Sequence, residues 1–385
     1  MRIVIAPDSY KESASAIEVC RAIERGLRLA LPDADIVCIP MADGGEGTVA
    51  AVAAAAHGVM VEAEVRGPLD DPVRAVYAVI DGGATAVIEM AAASGLPLVP
   101  PDRRDPARAS TYGTGELIRH ALEGGARRVI LGIGGSATND GGAGMAQALG
   151  WSFRDGDGKE LERGGLALAR LAQIDGSRRI PALDGAEVLV ACDVDNPLAE
   201  PQGASRVYGP QKGASPELIE RLDAALVHFG KVVEEQLGVS VVNVPGAGAA
   251  GGLGAGLIAF AGARLHPGVD LVAEAVGLAE ALRGADLVIT GEGRLDAQSI
   301  HGKTPVGVAR IAKQFGVPVF ALAGSLGEGF RQVYSHGIDA AFSIAPGPIT
   351  LEESRRRVGE LLEAAAESVG RMWARHQKID SPDQG

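Results

Sequence analysis

The sequence predicts an α/β protein of two domains, in which a domain built from both chain ends carries a second, mixed α/β domain inserted between them. A chain of 385 residues is too long for one ordinary hydrophobic core. Strand patterns alternate with helix patterns at both ends of the chain, which is typical of a parallel sheet covered on both faces. In the middle, strand patterns follow one another directly. We place the joints near residues 65 and 284, so that residues 1–65 and 285–385 form one domain and residues 66–284 the other.

The elements at the two ends follow one rhythm. Residues 2–6 are a short apolar strand, and Ser15 with Glu18 has the form of a capping box before a helix. A second strand over residues 35–40 leads through a glycine turn into an alanine-rich helix. Late in the chain the predicted strands are 286–290, 317–323 and 340–344, and the predicted helices are 305–315, 329–336 and about 350–376. Residues 59–65 and 72–80, by contrast, alternate like antiparallel strands.

Composition excludes several classes of protein. The formal net charge is −13 and aromatic residues are only 4%, so neither nucleic acid nor an anionic membrane surface is an expected partner. Three cysteines without a C-x-x-C pair favour a reducing, cytoplasmic location. The N-terminal apolar run is too short for a signal peptide. Residues 241–263 carry no charge, but their glycines favour a loop that enters a buried helix over a membrane span.

Two glycine-rich runs are candidates for phosphate binding. Residues 132–142 follow a strand and precede a helix, which lets backbone N–H groups face an anion. A tight turn is an equal alternative, but the polar Ser136, Asn139 and Asp140 favour contact with phosphate, together with Gly134 and Gly135. Residues 246–251 match G-x-G-x-x-G, yet close packing of small residues is the favoured interpretation there.

The remaining candidates are charged. Gly302-Lys303-Thr304 suggests a Walker A motif, but the earlier glycine is missing, so Lys303 is either a point charge for phosphate or a solvated lysine. Any single aspartate after a strand is most simply a helix cap. Six carboxylates after apolar runs are harder to explain in that way, and they favour a Mg²⁺ ion or a cationic group among them. These six are Asp8, Asp43, Asp193, Asp195, Glu292 and Asp296.

Taken together, these segments resemble the type-1 glycerate kinase family, from the first strand to about residue 325 and more loosely beyond it. The most specific shared segments are residues 6–11 (Ala-Pro-Asp-Ser-Tyr-Lys), 42–47 (Ala-Asp-Gly-Gly-Glu-Gly), 132–144, 193–198 (Asp-Val-Asp-Asn-Pro-Leu), 208–213, 290–296 and 302–305. The family usually has phenylalanine at the position of Tyr10 and glycine at the position of Glu12.

The resemblance implies a flavodoxin-like parallel-sheet domain, an active site in the cleft between the domains, and transfer of the ATP γ-phosphoryl group to glycerate, most often giving 2-phosphoglycerate. The partners are then glycerate and ATP, with Mg²⁺ as cofactor. The sequence itself leaves a monomer and a homodimer open. Phosphoryl transfer needs a group to orient the attacking hydroxyl and a cation for the substrate carboxylate. We predict that Asp193 is the general base, with Asp8 as the second candidate, and that Lys11 is the cation that binds the substrate carboxylate. The predicted substrate contacts are Asp43, Asp195 and Lys212, and the predicted metal ligands are Glu292 and Asp296.

Two other classes of function stay open on the sequence alone. The glycine patterns also fit an NAD(P)-dependent oxidoreductase of a small hydroxy acid, although the stretch that should hold its ribose-binding acid, around Asp155, reads as a turn. A non-catalytic metabolite-binding protein would use a similar two-domain architecture, but it gives no reason for so many carboxylates. Comparing the binding of nicotinamide cofactors with the binding of ATP distinguishes an oxidoreductase from a kinase. Release of ADP distinguishes a kinase from a non-catalytic binding protein.

Overall fold

The structure is a computed structural model that describes residues 1–380, with side chains through Arg375. The strands in this range are β1 (Arg2–Ile5), β2 (Asp35–Cys38), β3 (Val59–Arg66), β4 (Pro72–Ile80), β5 (Thr85–Glu89), β6 (Arg128–Gly132), β7 (Ser152–Arg154), β8 (Gln173–Asp175), β9 (Glu187–Ala191), β10 (Arg264–His266), β11 (Leu287–Leu295), β12 (Val319–Leu326) and β13 (Ala340–Ser343). The α-helices are α1 (Ala16–Ala30), α2 (Thr48–Ala55), α3 (Ala91–Ser94), α4 (Tyr112–Glu123), α5 (Ala143–Ala148), α6 (Ala204–Tyr208), α7 (Pro216–Leu237), α8 (Ala249–Ala261), α9 (Gly268–Ala275), α10 (Leu278–Leu282), α11 (Thr304–Lys313), α12 (Leu351–Arg356) and α13 (Val358–Asp380). None of the helices in this part of the chain combines the length and the apolar character that a membrane crossing requires.

The chain divides into two compact units. The first unit comprises Met1–Asp43, Ala50–His57 and the chain from Val269 onward, and the second comprises Gly44–Val49 and Gly58–Gly268. The predicted fold class, α/β with both chain ends in one unit and a mixed sheet in the other, is confirmed. The domain boundaries near residues 65 and 284 stay a prediction.

The first unit contains a five-stranded sheet in which every neighbouring pair is parallel. Its order is β2-β1-β11-β12-β13, which is the 2-1-3-4-5 order of flavodoxin-like folds. Strand β1 is central, with Ile3 opposite Leu287 on one side and Ile36 on the other. The flavodoxin-like expectation is therefore confirmed.

Helices α1 and α13 pack together over this sheet. The capping box of Ser15 and Glu18 starts α1 as predicted, and it fixes where the apolar face of the helix begins. Ile23 of α1 and Leu362 of α13 are fully buried in the same core cluster. Gly26 lets the helices approach, because a Cβ atom there would lie 2.1 Å from the carbonyl oxygen of Glu363.

The second unit contains a six-stranded mixed sheet of order β10-β9-β6-β5-β4-β3 and the small hairpin β7–β8. Strands β3 and β4 are antiparallel, as the alternation of residues 59–65 and 72–80 predicts, and β5, β6, β9 and β10 are parallel. Residues from the inner strands, such as Ile88, Leu131 and Val190, are fully buried in one core cluster. The carboxyl ends of β5, β6 and β9 therefore face the same edge of the sheet.

The second glycine run, residues 246–251, packs against the first. The chain has positive φ angles at Ala250, Gly251 and Gly252, at the start of α8. A Cβ atom on Gly251 would lie 2.0 Å from the carbonyl oxygen of Thr138, and one on Gly256 would lie 2.4 Å from that of Gly141. The close-packing interpretation of this run is therefore confirmed.

Candidate active site

The carboxylates of the first unit gather at the carboxyl ends of β1 and β11. Beyond β1 the chain keeps its pairing, since the N–H of Asp8 donates to the carbonyl of Gly291 over 2.9 Å. On the other side, the N–H of Met41 donates to the carbonyl of Pro7 over 2.9 Å, which brings Asp43 to the same edge. The pair β1 and β11 is the point where the strand order reverses, and open α/β sheets bind their ligands at such a point.

Strand β11 is longer than the sequence predicts. The prediction ends the strand at residue 290, whereas β11 continues to Leu295 because Glu292 pairs with Ala323 of β12 and Arg294 with Ser325. Glu292 therefore lies on the sheet itself. Asp296 follows at once and caps the 3-10 turn Ala297–Ile300, accepting from the N–H of Gln298 over 2.9 Å.

Asp8 is the most perturbed carboxylate of this group. One of its oxygens accepts a short hydrogen bond from the Thr304 hydroxyl, and the other accepts from the N–H of Ser9 over 2.6 Å. Burial and the nearby Asp43 carboxylate raise the pKa of Asp8 to about 7, although these hydrogen bonds oppose the change. Asp8 can therefore gain or release a proton near neutral pH.

Glu292 is held between a hydroxyl and an ammonium group. Its Oε1 accepts from Ser299 Oγ over 2.7 Å, and its Oε2 lies 3.4 Å from Lys303 Nζ. Burial raises the pKa of Glu292, whereas Ser299 and Lys303 oppose that change and Asp296 adds to it. Lys303 is thus an ion-pair partner within the acidic group rather than a solvated lysine.

The acidic group fits magnesium only as a shared site. Within residues 1–380 no set of three His, Cys, Asp or Glu side chains is arranged to hold a metal ion. Asp296 also pairs with Arg294, at 3.1 Å between Oδ2 and Nε. Mg²⁺ in nucleotide enzymes is commonly bound by one or two carboxylates together with substrate phosphates, and Glu292 and Asp296 suit that arrangement.

The glycine loop of the second unit joins β6 to α5, with an exposed tip and a buried base. Gly134 and Gly135 are exposed, whereas Ser136 is buried. The N–H of Ala137 donates to the carbonyl of Ser94 over 3.0 Å, and this hydrogen bond fixes the buried part of the loop. Among the described residues, none accepts from the N–H groups of Gly134 and Gly135. The tip can therefore donate to an anion.

The sequence predicts that Asn139 and Asp140 contact phosphate, whereas the structure places both side chains inside the unit. Both are fully buried. Asp140 accepts from the N–H groups of Thr111, Gly142 and Gly144, over 2.8, 3.2 and 3.3 Å. The first three N–H groups of α5 all have acceptors within the unit: Ala143 donates to the Asp140 carbonyl, Gly144 to the Asp140 carboxylate and Met145 to Thr111 Oγ1. The helix N-terminus is therefore not the expected anion site. Asn139 Nδ2 donates to Ser205 Oγ over 2.9 Å. These two side chains hold the loop from within.

Lys212 is likewise buried behind this loop. Its Nζ donates to Ser136 Oγ over 2.9 Å and to the carbonyl of Thr138 over 2.6 Å. Burial lowers the pKa of Lys212 to about 7, and Asp140 opposes this change. The sequence predicts that Lys212 contacts substrate, whereas the structure places its ammonium group on the loop.

The other predicted residues are accessible. Asp193 follows β9 and is exposed, and its Oδ1 accepts from the N–H of Gly268 over 2.9 Å. Asp195 and Lys11 are exposed too. The structure thus brings Asp8, Asp43, Glu292, Asp296 and Lys303 together in one unit. It brings Ser136, Asn139, Asp140 and Lys212 together in the other.

Four further polar residues make hydrogen bonds within these two units and carry no assignment from the sequence. Thr304 and Ser299 hold the carboxylates of Asp8 and Glu292. Thr111 donates from its N–H to Asp140, and Glu89 accepts from the N–H of Val49 over 2.8 Å at the start of α2. Only Thr304 had a usable signal, since it belongs to the Gly-Lys-Thr segment. The others are ordinary residues in sequence, and only the fold pairs them.

Carboxylates at the switch point of a flavodoxin-like sheet, with a separate glycine loop whose tip can donate to an anion, define an α/β enzyme for charged small molecules. The sequence profile of the Glycerate kinase family matches residues 3–374. The chain is 54% identical to the glycerate kinase of Halalkalibacterium halodurans, over 95% of this chain and 97% of that protein. It is 54% identical to the glycerate 2-kinase of Escherichia coli, over 92% and 93%. A crystal structure from Salmonella typhimurium LT2 described as glycerate kinase 2 aligns with a TM-score of 0.90 at 51% identity, over 98% of this chain and 99% of that one. The chain belongs to the glycerate kinase family.

Proposed function

We propose that this protein is a phosphotransferase that moves the γ-phosphoryl group of ATP to a hydroxyl of glycerate, with 2-phosphoglycerate as the expected product. The convergence of Asp8, Asp43 and Glu292 at the switch point of the first sheet is the observation that carries the proposal. Phosphoryl transfer depends on positioning and on electrostatic stabilisation, which such a group can supply. The names of the relatives supply the acceptor.

Asp8 is our choice for the group that orients the acceptor hydroxyl and takes its proton. A general base works best when its pKa lies near the working pH, and the pKa of Asp8 is about 7. The exposed Asp193, which the sequence favours, is the second candidate. Lys11 is proposed to hold the substrate carboxylate, and Asp43 and Asp195 to contact the substrate hydroxyl groups.

Glu292 and Asp296 are proposed to hold Mg²⁺ together with the nucleotide phosphates. When bound, the ion neutralises charge on the phosphates during transfer. Lys303, at 3.4 Å from Glu292 Oε2, offsets part of the negative charge of this pair before nucleotide arrives. Ser299 fixes the Glu292 carboxylate through its hydroxyl.

A coupled assay of ADP release tests the function directly. With ATP and Mg²⁺ present, ADP is expected to appear at a rate that saturates with glycerate, and ³¹P NMR of the product identifies the phosphorylated hydroxyl. Glycerate binding without ADP release would instead make the chain a binding protein. A change in nicotinamide absorbance with NAD(P) would favour the oxidoreductase alternative, which the comparisons do not support.

The tip of the glycine loop is proposed to bind nucleotide phosphate, and Gly134→Val tests it. Gly135 has a φ of +73°, so any side chain there strains the backbone whatever the loop binds. At Gly134 a Cβ atom would only reach ordinary contact, 3.5 Å from Gly45 Cα. Gly134→Val should raise the Kd for ATP by at least tenfold, about 1.4 kcal/mol, without lowering Tm.

The matched control for this variant is Gly156→Val. Gly156 is an exposed glycine of the same unit, and a Cβ atom there would meet nothing within 4 Å. Calorimetric titration with ATP should give wild-type affinity for the control. If folded Gly134→Val also binds ATP like wild type, the loop is only a turn.

A further inference from the structure

Lys212 is a charged side chain that the proposed chemistry leaves unused, and its surroundings are specific. It ends the 3-10 turn Pro210–Lys212, and only 2% of it is exposed. The turn is fixed by its own backbone, since the N–H of Lys212 donates to the carbonyl of Gly209 over 3.0 Å. Long lysine side chains are almost never fully buried without a partner. Its partners therefore indicate its role.

Those partners are two groups of the glycine loop, Ser136 Oγ at 2.9 Å and the carbonyl of Thr138 at 2.6 Å. Ser136 directly follows the exposed Gly134 and Gly135, whose N–H groups point to no acceptor among the described residues. The ammonium group thus holds the loop by two hydrogen bonds immediately behind its exposed tip. Hydrogen bonds from a charged donor are about twice as strong as neutral ones, so this contact limits how the tip can move.

We propose that Lys212 is a positioning residue for nucleotide phosphate: its ammonium group holds Ser136 and Thr138 from the buried side, so that the N–H groups of Gly134 and Gly135 stay arranged for an anion. The proposal rests on the proposed phosphate site at the loop tip. It replaces the predicted direct contact of Lys212 with substrate. The same buried cation also places positive charge behind a site for a negatively charged ligand.

The position of Lys212 couples nucleotide binding to a proton. In the free protein burial lowers the pKa of this lysine to about 7. Asp140, in the loop before α5, is the charged group that faces it and favours the ammonium form. Arg104, from the segment before α4, reaches the same turn by donating to the carbonyl of Gln211 over 3.2 Å. A phosphate at the tip would favour the charged lysine further, so binding should take up a proton, and affinity should fall as pH rises above about 7.

The test is calorimetric titration of the full-length protein with Mg²⁺-ATP between pH 6 and 9, in buffers of different ionisation enthalpy. Wild-type protein is expected to take up a proton at pH 7–8. Lys212→Met should bind ATP at least roughly tenfold more weakly at pH 6.5, the loss expected for a hydrogen bond from a charged group. The difference between the two proteins isolates Lys212, because Asp8 and the nucleotide titrate in both. Glycerate affinity should change little in Lys212→Met, which separates phosphate positioning from substrate contact.

Two further variants keep the proposal open to refutation. Lys212→Gln keeps donors for the loop but loses the charge, so it guards against misfolding of the methionine variant and should still lose the proton uptake. Lys231→Met is the matched control, since Lys231 is an exposed lysine of the same unit, paired with Glu235. It should behave as wild type. Unchanged ATP affinity and pH profile in a folded Lys212 variant would overturn the proposal. The kinase assay would then still stand or fall separately, because it measures turnover with the wild-type protein.

Discussion

Replacing Asp8 with asparagine is expected to lower kcat for glycerate phosphorylation by roughly 10²–10⁴-fold, the range for loss of a general base. Asparagine keeps the size of the side chain, and its amide oxygen can accept from the N–H of Ser9 while its NH2 donates to the Thr304 hydroxyl oxygen. It cannot accept a proton from the substrate. Nucleotide affinity should stay close to wild type. Steady-state kinetics with a coupled ADP assay, together with ATP titration, measures both quantities.

Asp8→Asn should also change how kcat/KM and Tm depend on pH, and the direction of each change can be measured. Because the pKa of Asp8 is about 7, wild-type kcat/KM should rise as pH increases through that value, and Asp8→Asn should lose that rise. Stability should move the other way. The ionised Asp8 is disfavoured by burial in the folded protein, a cost that is absent below about pH 4 and complete above pH 7. Asp8→Asn should therefore raise Tm at pH 8 and change it little at pH 4.

Two companion variants decide which carboxylate acts. Asp33→Asn changes an exposed aspartate of the same unit and should leave kcat unchanged. Asp193→Asn tests the base that the sequence favours. If Asp8→Asn retains near-normal kcat while Asp193→Asn loses two or more orders of magnitude, the base is Asp193 and our choice is wrong.

Removing magnesium is expected to abolish turnover entirely. The protein carries a formal net charge of −13, and Asp8, Asp43 and Glu292 gather where the substrate is proposed to react. The negative charges of a nucleoside triphosphate without its cation would be repelled by these carboxylates. The assay compares excess chelator with chelator already saturated with Mg²⁺, and added Mg²⁺ should restore the rate. Full turnover in excess chelator would remove Mg²⁺, and with it the proposed roles of Glu292 and Asp296, from the mechanism.

The fold was largely predictable because it depends on patterns that sequence records well. Strand and helix periodicity at the two ends, with the capping box at Ser15, predicts the parallel sheet. The extent of β11 was not predictable, since glycine, glutamate and arginine at positions 291–294 interrupt any strand pattern. These residues extend because β12 lies alongside them and pairs with them. Tertiary partners override local preference at such positions.

The sequence predicts candidate residues for the site, and their membership of one site stays a prediction; the surroundings of each side chain could not be predicted. Sequence gives the order of Ser136, Asn139 and Asp140, but not which side of the loop each side chain occupies. Charged residues are expected at the surface, so the burial of Asp140 and Lys212 runs against the usual rule. The backbone of Glu12 is a similar case, since its φ of 62° lies in the left-handed region that favours glycine. Only the folded backbone reveals these constraints.

The central place of β1 has a consequence for how the chain matures on the ribosome. Its partner on one side, β2, follows within 40 residues. Its partner on the other side, β11, comes much later: the hydrogen bond from the Thr290 hydroxyl of β11 to the carbonyl of Ala6 spans 284 positions. At translation rates of about 5–20 residues per second, β1 waits roughly 15–60 s with one edge unpaired. An open edge strand is a template for wrong pairing. The nascent first unit should therefore bind chaperones until most of the chain has emerged, whereas the second unit can close its own sheet earlier.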